Sequence, residues 1–167
     1  AVNHIHLSEM EISFCDSDCH LIPPLRGISD RDALRSGLVD GTIDAVCSDH
    51  APVDEDAKLV PFGESEAGAS CIELLLSLVL KWAEEINIPL AVAVAKVTSE
   101  PAKILGIEAG DLSVGAGADL CIFDPEQHWR VEASTLRSQG KNTPFLGMEL
   151  QGKVKYTLAN GIIVYED

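Results

Sequence analysis

The sequence predicts an α/β chain with a β-rich C-terminal end, and three observations carry that expectation. Residues 29–41 read as a helix that stops at a glycine, and residues 42–48 follow at once as a buried strand. Residues 69–85 read as a long helix that is apolar on nearly every side. Beyond residue 106 the helical periodicity gives way to glycine-punctuated strands. A helix feeding directly into a buried strand is an αβ unit, which favours a parallel sheet or a barrel.

Taken in order, residues 1–7 predict a strand. Its alternation puts Val2, His4 and His6 on one face and Asn3 and Ile5 on the other. Residues 8–28 read as irregular, with Glu9, Glu11, Asp16 and Asp18 solvated and Pro23-Pro24 forcing an extended segment. Ser29-Asp30-Arg31-Asp32 resembles a capping box, and Ala33, Leu34 and Leu38 give the helix its apolar stripe up to Gly41. Thr42, Ile43, Val46 and Cys47 favour a pleated strand, which Pro52 forbids from continuing. A long polar loop over residues 50–66 follows the strand's C-terminal end, where α/β folds place function. In the next helix Ile72, Leu75, Leu76, Val79 and Leu80 supply one apolar stripe and Leu74 and Leu78 a second. Such a helix is buried on both sides, so another domain or subunit should cover it. Pro89 opens a helix near residues 90–97, and Ser99-Glu100-Pro101 opens another that ends at Gly106. Residues 118–125 form a strand, and residues 154–158 and 162–165 form two more joined at Ala159-Asn160-Gly161. A boundary therefore falls near residue 107.

Composition narrows the function classes. With 46% hydrophobic residues in 167, the chain can build a sizeable core. Lys and Arg number 12 against 27 Asp and Glu, a formal charge of −15 that repels nucleic acid and anionic membranes. Neither is expected as a partner. The longest apolar run, Cys71 to Leu80, is broken by Glu73 and Ser77 and falls far short of the ~20 residues that span a bilayer. Five cysteines without framework spacing suit a reducing, cytoplasmic setting. Cys15, Cys19 and His20 lack the second ligand pair of a zinc finger. The chain opens without Met, apparently inside a strand, and so reads as a piece of a longer protein.

Chemistry concentrates at Ser48-Asp49-His50-Ala51-Pro52, where a buried strand delivers an aspartate and a histidine to its own end. Charge there is costly unless a metal, substrate or partner compensates it. The pattern equally fits an Asp49 that caps the loop and a His50 satisfied by backbone carbonyls. His4 and His6 at i and i+2 of a strand can bind one metal, and they can equally be a polar strand end.

Several runs together resemble dihydroorotases of the amidohydrolase superfamily, in their C-terminal portion. They are Pro23-Pro24-Leu25-Arg26, Asp40-Gly41-Thr42-Ile43-Asp44, Ser48-Asp49-His50-Ala51-Pro52 and Ser99-Glu100-Pro101-Ala102-Lys103-Ile104-Leu105-Gly106. Ala118-Asp119-Leu120-Cys121-Ile122-Phe123-Asp124-Pro125 and Gly140-Lys141-Asn142-Thr143-Pro144-Phe145 extend the likeness. The resemblance implies the end of a (β/α)8 barrel over residues 1–106 and strands of a small β-sandwich over residues 107–167. It implies zinc as the cofactor and a zinc-bound hydroxide that opens dihydroorotate reversibly to carbamoyl aspartate. Asp49 would touch the metal and shuttle the proton, His4 or His6 would be a metal ligand, and Arg26 and His50 would contact substrate. Two positions depart from the family's pattern, which has Asn where this chain has Ile22 and His where it has Val53. Both are substrate contacts in the family, and each lost hydrogen bond to a charged ligand typically removes ~1.5–3 kcal/mol. The departures keep two other readings open: a catalytically silent homologue that partners aspartate transcarbamoylase, and ring opening of hydantoin- or allantoin-like substrates. The expected partners are the missing N-terminal part of the barrel and a second copy or aspartate transcarbamoylase. The piece by itself is expected to be inactive.

Overall fold

The computed structural model describes residues 1–12 and 15–167. Its centre is a helix, α3 (Leu75–Glu85), entered through a 3-10 turn at Ile72–Leu74. Six of its eleven residues, Ser77, Leu78, Val79, Leu80, Trp82 and Ala83, are buried. The expected cover is this chain's own. Strand β2 (Glu149–Ala159) packs on one side, while helix α4 (Leu90–Ala95) and a 3-10 turn at Val2–Ile5 pack on others. Trp82, Phe145, Leu74, Leu78 and Leu150 are the largest fully buried side chains and join both parts in one core.

Three further helices complete the first part: α1 (Glu9–Ile12), α2 (Ile28–Asp40) and α5 (Ser99–Leu105). Helix α1 was not foreseen, although Ser8-Glu9-Met10-Glu11 carries its signal. The Glu11 carboxylate accepts from both Ser8 N (2.7 Å) and Ser8 Oγ (2.9 Å). Helix α2 begins two residues earlier than its capping pattern suggests, with Gly27 at the N-cap and no side chain capping it. Its end at Gly41 is as expected.

Two expected strands are not strands. Residues 42–48 begin in a bend and join no ladder among the described residues. Their backbone makes isolated hydrogen bonds, Val46 N to Lys96 O at 2.9 Å and Val2 N to Cys47 O at 2.8 Å. β propensity measures fit to a sheet surface, and without a neighbouring strand it yields no ladder. Residues 2–5, read as part of a strand, form a 3-10 turn.

The C-terminal part is one antiparallel sheet in the order β1 (Leu120–Arg130), β2, β3 (Ile162–Glu166). The sheet stands as α/β with that single meander, and no second sheet packs against it among the described residues. Strand β1 was expected to stop at Pro125, which has no amide to donate. Instead it bulges between Asp124, paired with Lys153, and His128, paired with Gln151, and so continues past the proline. Facing the bulge, Gly152 sits at φ 89, and a Cβ there would collide with Leu80 Cδ1. Only glycine lets α3 approach β2 so closely. The β2–β3 hairpin turns through Asn160 and Gly161, both at positive φ, as its sequence predicts.

Candidate functional site

Asp49 follows that segment in the left-handed region, at φ 51, and its side chain is exposed. The turn tips the chain from the core into the 50–66 loop. Four bonds hold the first residues of that loop, three of them to the segment running into α3. The backbone amides of Cys71 and Ile72 donate to His50 Nδ1 at 3.2 and 3.4 Å. Ala51 N donates to Ala69 O at 2.9 Å, and Val53 N donates to Asn142 Oδ1 at 2.9 Å. Because His50 Nδ1 accepts, the neutral ring carries its proton on Nε2, which is left free to donate outward.

Gly68 makes this packing possible. It lies at φ 147, and a Cβ there would stand 2.5 Å from Ala51 O. Gly140 presses on the other side, where a Cβ would lie 2.6 Å from Pro52 Cβ. Beneath the loop, Cys71 Sγ donates to Asn3 Oδ1 at 3.1 Å. Burial pushes this thiol up to about 11, and the nearby Asp49 charge adds to the shift. Cys71 is therefore a neutral, packed group.

Ile22 is 75% exposed, and Arg26 projects to solvent one turn before α2. Buried Leu21 and Leu25 pin this stretch to the core. Val53, by contrast, is buried at 6% exposure and offers only hydrocarbon to a ligand. A cleft of about 380 Å³ opens beside it, between Asp18, Val53, Lys58, Lys141, Asn142 and Leu146.

His4 and His6 do not share a face. Residues two apart align on a strand, but a 3-10 turn rotates each residue by about 120°, so they diverge. His4 Nε2 donates to Pro23 O at 2.9 Å and supports the Pro23-Pro24 stretch. His6 Nε2 donates to Leu78 O at 2.9 Å, and its ring meets Phe145 edge-on at 6.2 Å. Burial lowers His6 from 6.5 to about 4, outweighing the Leu78 carbonyl, so the ring is neutral. His4 Nδ1 is buried without a hydrogen-bond partner among the described residues. Among the described residues no three His, Cys, Asp or Glu side chains come together to hold a metal ion. Among the described residues, then, His4, His6 and Asp49 do not come together as a three-donor metal site.

The amidohydrolase family model matches residues 4–164. The chain belongs to the amidohydrolase family. Its likeness within the family runs to dihydroorotases. A dihydroorotase of Citrifermentans bemidjiense is 41% identical over 166 residues, covering 99% of this chain and 39% of the relative. A dihydroorotase-like protein of Pseudomonas putida is 39% identical over 165 residues with the same coverage. The dihydropyrimidinase of Brevibacillus agri superposes at a TM-score of 0.89 with 25% identity, covering 99% of this chain and 38% of that one. The chain thus spans about two fifths of the length of the curated relatives it matches. In this amidohydrolase chain the resemblance located Asp49, His50 and Arg26, all of which reach the surface or lie half-buried. It did not single out Gly68 or Ser70, and it quoted Asn142 only as part of a run without a role; all three hold the loop in place. Gly68-Ala69-Ser70 offered no signal beyond small residues before a helix.

Proposed function

We propose that this chain is the C-terminal part of a dihydroorotase-type cyclic amide hydrolase that interconverts dihydroorotate and carbamoyl aspartate in pyrimidine biosynthesis. Residues 1–106 would close a (β/α)8 barrel and residues 107–167 would contribute to a small β-sandwich. The observation that carries the reading is the Asp49-His50 turn. An exposed carboxylate stands beside an imidazole whose tautomer is fixed by two backbone amides.

Zinc would be the Lewis acid, with Asp49 touching it from this chain and most of its donors supplied by the rest of the barrel. This chain's share is proton transfer and substrate binding. Asp49 takes a proton from the attacking water and delivers it to the departing ring nitrogen, a role that needs a carboxylate held rigidly at hydrogen-bond reach. His50 Nε2–H donates to a substrate oxygen, and the Arg26 guanidinium pairs with the substrate carboxylate. Ile22 and Val53 replace two of the family's polar contacts with hydrocarbon, so binding is weaker than in a dihydroorotase that keeps them. The same two residues favour a second reading, a catalytically silent homologue that partners aspartate transcarbamoylase. All five cysteines are free thiols, which accords with a cytoplasmic enzyme.

The test is dihydroorotate ring opening and zinc content measured on the full-length parent. The enzyme reading expects zinc and turnover, with Asp49→Asn lowering kcat by about 10²–10⁴-fold. A zinc-free, inactive parent that co-purifies with aspartate transcarbamoylase sinks it in favour of the silent homologue.

A further inference from the structure

We infer that Asn142 is a positioning residue for the Asp49–Val53 turn, acting from the C-terminal part of the chain through hydrogen bonds alone. The inference rests on the functional reading above for its consequence in turnover, but its geometry stands independently. Asn142 is buried, at 7% exposure, and both ends of its amide are used. Oδ1 accepts from Val53 N (2.9 Å) and from Ser70 Oγ (3.3 Å), and Nδ2 donates to Gly68 O (3.0 Å). Its own carbonyl accepts from Ser70 N at 2.7 Å, and Ser70 Oγ also donates to Gly140 O at 2.8 Å. One partner is a donor and the other a carbonyl, so the orientation of the amide is unambiguous.

The side chain thereby adds a second side-chain tie between two segments that also meet through His50 Nδ1. One is the loop carrying Asp49 and His50, 89 residues away in sequence. The other is the 68–72 stretch, whose amides fix His50. No other residue type supplies an acceptor and a donor at this reach. Alanine would strand a buried Val53 N–H and a buried Gly68 carbonyl together. Leucine would do so while filling the space. Aspartate would keep the acceptor for Val53 and Ser70 but turn a second oxygen toward the Gly68 carbonyl.

Asn142 acts on the turn through Val53 N, so its loss should alter the fraction of molecules with Asp49 in place. The experiment uses the full-length parent and reads amide hydrogen exchange alongside steady-state kinetics. Asn142→Ala is expected to speed exchange at Ala51 and Val53 by about tenfold or more, the equivalent of ~1.4 kcal/mol, while the amides of α3 are unchanged. With dihydroorotate as substrate, kcat is expected to fall by about tenfold or more while KM stays within about threefold. Asn142→Asp, which keeps the acceptor, should hold exchange at Val53 within about threefold of the unsubstituted protein. Unchanged exchange at residues 51 and 53, or equal acceleration across α3, overturns the inference. A parent that does not turn over dihydroorotate defeats the functional reading instead, and the exchange measurements still decide the role of Asn142.

Discussion

Replacing Gly68 by alanine tests whether the loop geometry described above is the working one. At φ 147 an L-residue is strained, and the added Cβ would lie 2.5 Å from Ala51 O and 3.0 Å from both Ala51 Cβ and Val53 Cγ2. Strain of this kind costs about 1–3 kcal/mol. Overpacking adds a further ~1–3 kcal/mol. Because a carbon and a carbonyl oxygen approach no closer than about 3.3 Å without penalty, Ala51 must retreat by about 0.8 Å. Ala51 is two residues from Asp49, and a shift near 1 Å at a reacting group can lower turnover by about 10²-fold. Gly63 is the control: a Cβ there meets nothing within 4 Å. On the full-length parent, Gly68→Ala should lower the thermal midpoint by several degrees and dihydroorotate turnover by one to two orders of magnitude, with Gly63→Ala neutral in both. If Gly68→Ala matches the unsubstituted protein in both, the loop does not pack on Gly68 and the reasoning fails.

Two more outcomes follow from burial. His6 is depressed to about 4, so the fold favours its neutral ring; the stability it contributes is complete above 6.5 and lost as pH falls toward 4. After discounting for residual exposure this amounts to about 2 kcal/mol, and His6→Phe should flatten the stability profile between pH 6.5 and 4.5 in chemical denaturation; an unchanged slope assigns the loss to other groups. The isolated 167-residue chain exposes 9734 Å², against about 8,000 Å² for a compact monomer of its 17.9 kDa mass. With Leu112, Leu59, Ile162 and Val164 among its exposed apolar residues, it should self-associate in sedimentation velocity; a compact monomer at micromolar concentration counts against this.

The elements legible in the sequence are those whose signal is local. Helices α2, α4 and α5 are each marked by periodicity and by Gly41, Pro89 or Gly106 at an end. The Asn160-Gly161 hairpin needs only its own two residues. The 42–48 segment shows the limit of such reading. Its β-branched residues are the right ones for a buried strand, but whether they become one depends on neighbours that composition cannot supply. The same limit explains β1, whose Pro125 stops a strand unless the partner bulges. Nothing in residues 118–125 reveals that Gly152 faces them.

The candidate site divides along the same line. Asp49 and His50 were legible because two polar residues end an apolar run in the sequence, although Asp49 proves to be exposed. What fixes them is not local. His50 is held by amides 21 and 22 residues away, and Val53 by an amide 89 residues away. His4 and His6 failed for a simpler reason, because their shared face existed only while the backbone had a period of two. Once residues 2–5 coil into a 3-10 turn, each ring satisfies a separate backbone carbonyl, and the pair becomes packing. Reactive side chains can therefore be found from their place in a local sequence pattern, whereas the residues that aim them are found only from the contacts. That is why a neutral amide at position 142, unremarkable by charge or chemistry, emerges from the fold as the group on which the geometry of Asp49 depends.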